Sequence, residues 1–173
     1  KYANLFISKG HFPQIRELAT LNGIEETNYE VVEKPAGGYD IVLHIDKTNN
    51  KALQLMNRQV AIKSIEQATA LIRQATKFFQ AFNRESEGFH LVEHILLRED
   101  NTFQGTNDPY SFMMTMVFPS WPARFQKASF RNLVHETILA ESPAHVLVNV
   151  LWLDWGEMEM FEKAYKQWIT LRK

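Results

Sequence analysis

The sequence contains no cysteine. Disulfide bonds, thiolate metal sites and cysteine nucleophiles are therefore excluded, and the expected location is the cytoplasm, where proteins do without disulfides. The chain also lacks a recognisable signal peptide and any apolar run near the ~20 residues of a membrane helix. The chain also has no marked surplus of either charge, since it contains 19 basic and 20 acidic residues. Without a basic surplus, nucleic acid is not an expected partner.

What the sequence does contain is the composition of a globular protein. Of its 173 residues, 45% are hydrophobic and 23% are charged, which is enough to bury a core in one domain or two small halves. It begins at Lys1 rather than at Met, and both ends lie close to predicted elements. We therefore expect one module of a longer polypeptide.

The first half, residues 1–87, has the pattern of a strand, a helix, a meander of three strands and a long helix. Ser64 and Gln67 form a capping-box pattern at the start of the long helix, which is predicted to end near Arg84. The predicted strands are Tyr2–Ser8, Tyr29–Glu33, Tyr39–Asp46 and Lys51–Met56, and the first helix runs from Pro13 to Asn22.

The second half, residues 88–173, has the order ββαβα. Its predicted strands are Phe89–Arg98, Tyr110–Phe118 and His145–Asp154. One predicted helix, Ser129–Glu141, lies between the second and third strands, and the other, around Met158–Trp168, follows the third strand. Strand–helix–strand units in both halves, combined with antiparallel meanders, predict an α+β fold. We expect ferredoxin-like elements, a mainly antiparallel sheet covered by helices and two halves of related design.

One short motif carries possible metal chemistry. His90, Glu93 and His94 have the H-x-x-E-H order of the inverted zincin peptidases. On a helix, the two imidazoles would share a face and bind zinc, with the glutamate as general base. A third ligand would come from the last helix, which offers Glu157, Glu159 and Glu162. This pattern supports a zinc hydrolase as the alternative function.

The context of the motif favours a strand. A long helix and a Glu-Ser-Glu-Gly turn precede it, and a polar loop follows it. In a strand, His90 and His94 lie on one face and Glu93 on the other, so the general base is lost. We therefore predict half-buried sheet histidines and assign no catalytic, cofactor or metal residue.

The other candidates for chemistry are weaker. No nucleophile elbow surrounds Ser111, Ser120 or Ser142, and Gly37-Gly38 fits a turn better than a phosphate loop. A polar hairpin loop is favoured over a cation site for a group of four oxygen-bearing residues, which lack the spacing of a calcium loop. These are Asp100, Asn101, Asn107 and Asp108.

Aromatic residues crowd the last third of the chain, and their spacing indicates that most belong to the core. Trp155 lies in a predicted turn, where we expect partial exposure, and Arg124 and Arg131 near the Trp-Pro turn suit a binding surface. The full set is Trp121, Phe125, Phe130, Trp152, Trp155, Phe161, Tyr165 and Trp168.

Four segments together carry a resemblance over residues 88–170. They are GFHLVEHILLR, DPYSFMMTMVFPSWPARF, FRNLVHETILAESPAHVLVNVLWLD and MEMFEKAYKQW. This ordered set resembles a module of large proteins associated with phage-tail-like contractile injection systems, where such proteins are thought to belong to the baseplate. The resemblance implies assembly rather than catalysis, and its motifs carry no known reaction.

The sequence thus favours a non-catalytic structural or protein-interaction module of a larger assembly. Its expected partners are other protein subunits or the rest of a longer polypeptide. The module hypothesis expects an exposed apolar surface or a free sheet edge. A zinc hydrolase built on His90, Glu93 and His94 is the alternative, and an α+β domain that binds a small ligand is a third possibility.

Overall fold

The computed structural model of the chain describes residues 12–48, 50–55, 61–98, 108 and 110–171. The chain divides into two compact units, and the division falls after Ser86. Unit 1 comprises residues 1–86 together with Trp121–Ala123, and unit 2 comprises Glu87–Ser120 and Arg124–Lys173. Each unit contains a sheet of three strands with its own helices.

The sheet of unit 1 is an antiparallel meander of β1 (Tyr29–Glu33), β2 (Tyr39–Asp46) and β3 (Lys51–Leu55). The turn from β1 to β2 requires positive φ at Gly37 (87°) and Gly38 (90°), a conformation that glycine adopts without strain. Alternate residues of β2 are buried, which places one face of the sheet against the core.

Two helices cover that face. They are α1 (Phe12–Asn22) and α2 (Ile65–Ser86). Leu43 and Ile45 of β2 pack with Ala19 of α1 and Phe79 of α2, and all four are buried. A second cluster joins β2 to the first turns of α2 through Ile41, Ile62, Ala68 and Ile72. The apolar stripe of α2 therefore faces the sheet, as its 3.6-residue period predicts.

Side chains cap the end of α1, where backbone carbonyls lose their helical partners. The side-chain amide of Asn83 donates to the Thr20 carbonyl at 3.0 Å, and that of Asn28 donates to the Asn22 carbonyl at 2.9 Å. The Tyr29 hydroxyl donates to the Gly23 carbonyl at 2.8 Å. The polar residues around this helix end therefore connect α1 to α2 and β1.

The sheet of unit 2 has the order β4 (His90–Glu93), β5 (Met113–Pro119), β6 (Leu147–Leu153). The first pair is antiparallel, whereas β5 and β6 are parallel and are connected through α3 (Ala128–Glu141). Strands β5 and β6 are direct neighbours in the sheet, so β5, α3 and β6 form a βαβ unit with no strand inserted between the two parallel strands. The register places His90, Val92, Thr115 and Val117 on one face, which we call face A.

The last helix, α4 (Trp155–Leu171), begins with a reciprocal capping box. The Asp154 carboxylate accepts from the Glu157 backbone N–H at 2.9 Å, and the Glu157 carboxylate accepts from the Asp154 N–H at the same distance. Met158 of α4 is buried, whereas no residue of α3 is fully buried. The helices of unit 2 are thus far less covered than α2 of unit 1.

The α+β class predicted from the sequence is confirmed, with two small and mostly antiparallel sheets. The predicted strand Phe89–Arg98 is too long: β4 ends at Glu93, because residues His94–Leu97 turn into a 3₁₀ helix. The strand predicted to begin at Tyr110 begins at Met113. The predicted strand Tyr2–Ser8 lies outside the described residues. None of the described helices is both long and apolar enough to cross a membrane.

Candidate functional site

The histidine motif lies at the transition from β4 to the 3₁₀ helix. His90 and Glu93 are the first and last residues of the strand, and His94 begins the helical turn. His94 Nε2 lies 2.8 Å from the hydroxyl of Thr115, which belongs to face A. Both histidines are therefore directed to one face of the sheet, while Glu93 pairs across from Met114 on the other face.

The side chain of His90 packs against α4. Its ring centroid lies 5.3 Å from that of Phe161 and 5.2 Å from that of Tyr165, both edge-on. Its Nε2 atom is 3.6 Å from a carboxylate oxygen of Glu162. Of the glutamates considered as third ligands, Glu162 is thus close to His90, whereas Glu157 caps α4 and Glu159 pairs with Lys163.

The contacts of His90 and His94 do not form a metal-binding site in the described part of the chain. Over the described ranges, no group of three or more histidine, aspartate or glutamate side chains is arranged to hold a metal ion. The helical face that would align two imidazoles is absent at His90–Glu93, because this segment is a strand. The arrangement fits a ring-packed strand histidine at His90 and a hydrogen-bonded His94. The prediction that His94 lies in the sheet is wrong, because His94 begins the 3₁₀ helix.

The polar loop before β5 is described at Asp108, while Asp100, Asn101 and Asn107 lie outside the described residues. The Asp108 carboxylate accepts from the Ser111 hydroxyl and from the Tyr110 backbone N–H. These hydrogen bonds lower the pKa of the Asp108 carboxyl, and the bond from the Ser111 hydroxyl has the largest effect. Asp108 and Ser111 therefore shape the turn that leads into β5.

Ser120 and Ser142 each donate a backbone hydrogen bond at the end of a secondary-structure element. The Ser120 N–H donates to the Leu153 carbonyl at 2.8 Å at the end of the β5–β6 pair. The Ser142 N–H donates to the Ile138 carbonyl at 2.9 Å and closes α3. Gly37 and Gly38 form the β1–β2 turn, as the sequence predicts.

Unit 2 contains an aromatic–arginine cluster, defined by Phe118, Phe125, Phe130, Trp152, Arg124 and Arg131. The rings of Phe118 and Trp152 stack at 4.7 Å, and those of Phe125 and Phe130 stack at 5.2 Å. The Arg131 guanidinium lies 4.7 Å from the Trp152 ring centroid, and its Nε donates to the Phe125 carbonyl at 2.7 Å. Arg131 thus acts inside unit 2, through cation–π and hydrogen-bonding contacts.

Arg124 is the more accessible arginine of this cluster. Its guanidinium lies 4.6 Å from the Phe130 ring centroid and 3.3 Å from the Glu87 carboxylate, and most of its side chain is exposed. Trp155, expected to be partly exposed in a turn, is half-buried and is the first residue of α4. The aromatic–arginine cluster is therefore a small packed core of unit 2, in which the Arg124 guanidinium is accessible to solvent.

A surface beside β6 stands out although the sequence did not single out its residues. We call it the β6 surface and define it by Phe112, Leu147 and Leu151, which are 65%, 57% and 47% exposed. Leu147 and Leu151 lie on face A, because they pair with Met113 and Val117. The Leu147 N–H donates to the Phe112 carbonyl at 2.8 Å, which holds Phe112 beside Leu147.

The backbone of Phe112 is strained. Its φ of 59° lies in the left-handed region, which an aromatic residue rarely adopts. The exposed ring contacts His145 edge-on at 5.3 Å. Strain of this kind costs about 1–3 kcal/mol and is frequent at functional sites. The alternating pattern LVNVLWL of β6 was the available sequence signal, but periodicity does not say which face remains open.

A comparison of the chain with known proteins found no matching family model and no matching curated protein.

Proposed function

We propose that the chain is a non-catalytic structural and protein-interaction module of a larger assembly, and that unit 2 supplies its binding surface. The observation that carries the proposal is the distribution of exposed large apolar side chains. Within the described residues, unit 1 exposes Val32 and Ile65. Those of unit 2 are Phe89, Leu91, Ile95, Leu96, Leu97, Phe112, Leu133, Leu139, Leu147, Leu151, Met160, Ile169 and Leu171.

The contrast between the units follows from how their helices pack. In unit 1, α2 buries residues at regular helical spacing against the sheet. In unit 2, α3 exposes Leu133 and Leu139, and α4 exposes Met160. Burying a fully exposed side chain of this size is worth about 1.5–3 kcal/mol. The side chains named here are already partly covered, so each would add a part of that amount to the affinity for a partner. Large exposed apolar patches are typical of interaction surfaces.

The resemblance of residues 88–170 to proteins of contractile injection systems supports a particular setting. We propose a baseplate-type component of a phage-tail-like assembly, with other subunits or the rest of a longer polypeptide as partners. The cytoplasm is the proposed location, because a cysteine-free chain suits a reducing compartment. The near-neutral charge does not favour a nucleic-acid partner.

Site-specific photo-crosslinking in the producing cells tests the proposal. A photoreactive amino acid at Leu139 of α3 or Met160 of α4 replaces an exposed apolar residue, and the same amino acid at Gln74 of α2 is the matched control on an exposed helical position. We expect defined adducts with other subunits from the two unit 2 positions and none from Gln74. Equal, diffuse labelling from all three positions would contradict the proposal.

The zinc-hydrolase alternative has a separate test, because it makes a statement about metal content. It needs His90 and His94 on one helical face, whereas the first of them lies in a strand. Metal analysis of the parent chain and of His94→Ala distinguishes the two functions.

A further inference from the structure

Within the described residues, the outer edge of β6 has no neighbouring strand, because β6 is the last strand of its sheet. The Leu147 N–H and the Leu153 carbonyl bond towards the β5 side. Because hydrogen-bonding direction alternates along a strand, the N–H and C=O groups of Val148, Val150 and Trp152 point outwards.

The other sheet edges of the described chain carry features that discourage pairing, and β6 does not. β1 contains Glu30 and Glu33, β3 begins with Lys51, and β4 has only four residues and ends in Glu93. Charged side chains and short strands are the usual protection of an exposed edge. β6 has seven residues, LVNVLWL, with no charge and no proline. It is therefore the edge best suited to accept another strand.

We propose that a second copy of this chain pairs with β6 in antiparallel orientation, with Val150 opposite Val150 of the second copy. This inference rests on the proposed function, since it names a partner for the same apolar region. Centring on Val150 lets the outward N–H and C=O groups of Val148, Val150 and Trp152 all find partners. The two sheets then continue into one sheet of six strands across a two-fold axis.

The sequence of β6 is complementary to itself in this register. Leu147 lies opposite Leu153 of the second copy on face A, and Val148 lies opposite Trp152 of the second copy on the other face. No like charges meet, because the strand has none. Leu151, half-exposed in the single chain, packs beside Asn149 of the second copy. A symmetric partner thus satisfies the edge and covers the exposed leucines in one step.

The absence of cysteine makes a direct test possible. In the proposed register the Cα atoms of the two Val150 residues are about 5.5 Å apart, which is a distance that a disulfide spans. In Val150→Cys we expect oxidation to give a disulfide-linked dimer at least tenfold faster than in Val148→Cys. The control is the same substitution on the same edge, but its two Cα atoms are about 14 Å apart, too far for a disulfide.

Sedimentation equilibrium of the parent chain supplies the second measurement. We expect a monomer–dimer equilibrium, and we expect Val150→Pro, which removes an outward N–H, to raise the dissociation constant at least about tenfold. Circular dichroism checks that each variant remains folded. A parent chain that stays monomeric at about 100 µM, well above a micromolar dissociation constant, overturns the inference, and so does equal cross-linking of the two cysteine variants.

The two proposals fail in different ways. Adducts from Leu139 to a different protein, combined with a monomeric parent chain, would overturn self-pairing and leave the interaction module standing. A dimer through β6 without other adducts would support self-pairing and reject the wider assembly.

Discussion

Replacement of Asn83 by alanine tests the account of how unit 1 is held together. Asn83 is buried in α2, and its amide nitrogen donates to the carbonyls of Thr20 and Phe79 at 3.0 and 2.8 Å. Its amide oxygen accepts from the Ala123 backbone N–H. One side chain thus connects α1, α2 and the Trp121–Ala123 segment, all within unit 1.

The magnitude follows from the groups that alanine would leave behind. The Phe79 carbonyl lies four residues before Asn83 in the same helix, so the loss of its extra bond costs little. The Thr20 carbonyl at the end of α1 and the Ala123 N–H would each lose a buried partner, at about 1–3 kcal/mol apiece. Water entering the vacated space reduces this cost. We therefore expect Asn83→Ala to lower the free energy of unfolding by about 2–4 kcal/mol.

Urea denaturation followed by far-ultraviolet circular dichroism measures the loss, with amide hydrogen exchange in β2 reporting on unit 1 alone. Gln80→Ala is the matched control: Gln80 lies one turn earlier in α2 and donates one exposed hydrogen bond, to the Ile24 carbonyl at 3.0 Å. It should cost less than about 1 kcal/mol. If Asn83→Ala costs no more than Gln80→Ala, the buried hydrogen bonds of Asn83 do not hold these segments.

Three further predictions concern packing, pH and metal. Gly23→Ala should destabilise the chain by about 1–3 kcal/mol, because the new Cβ would lie 2.4 Å from the Phe79 ring. Gly88→Ala, whose new Cβ would have nothing within 4 Å, should stabilise the chain by about 0.4–1 kcal/mol. Urea denaturation measures both changes. Burial raises the pKa of Tyr29 from 10.0 to about 12, so the folded state keeps a proton that the unfolded state loses. Stability should therefore fall between pH 10 and about 12 more steeply in the parent than in Tyr29→Phe, and parallel profiles would contradict this. The parent chain, purified without chelator, should contain no more zinc than His94→Ala. Stoichiometric zinc that this substitution removes would contradict this expectation and favour the hydrolase alternative.

The elements of unit 1 were predictable because its sequence signals are local and agree with its packing. Alternation of Ile41, Leu43 and Ile45 predicted β2, and all three residues are buried on one face. The capping box also forms, since the Gln67 N–H bonds to the Ser64 hydroxyl at 3.2 Å. The Gln67 carbonyl oxygen, however, accepts from Lys63 rather than from Ser64. Local patterns predict such a motif to within one residue.

The sequence could not resolve the details of unit 2 that depend on contacts between distant residues. β4 ends at Glu93 although apolar residues continue beyond it, because the chain turns at His94, whose ring bonds to Thr115 across the sheet. The parallel pairing of β5 with β6 likewise depends on the α3 crossover. Neither the hydrogen bond nor the strand order has a signature within a short window of sequence.

The exposed apolar residues of unit 2 show what helical and strand periodicity leaves open. The residues Phe130, Leu133, Val134, Thr137 and Ile138 of α3 have helical spacing, which is typical of a covered face. Phe130, Val134 and Ile138 are only half-buried, and Leu133 and Thr137 are exposed. An amphipathic period requires apolar side chains to be covered, but it does not specify whether the same chain or another one covers them. Amphipathic helical patterns bury a core in unit 1, whereas those of unit 2 leave large apolar side chains exposed, and this difference is the basis of the proposed interaction surface.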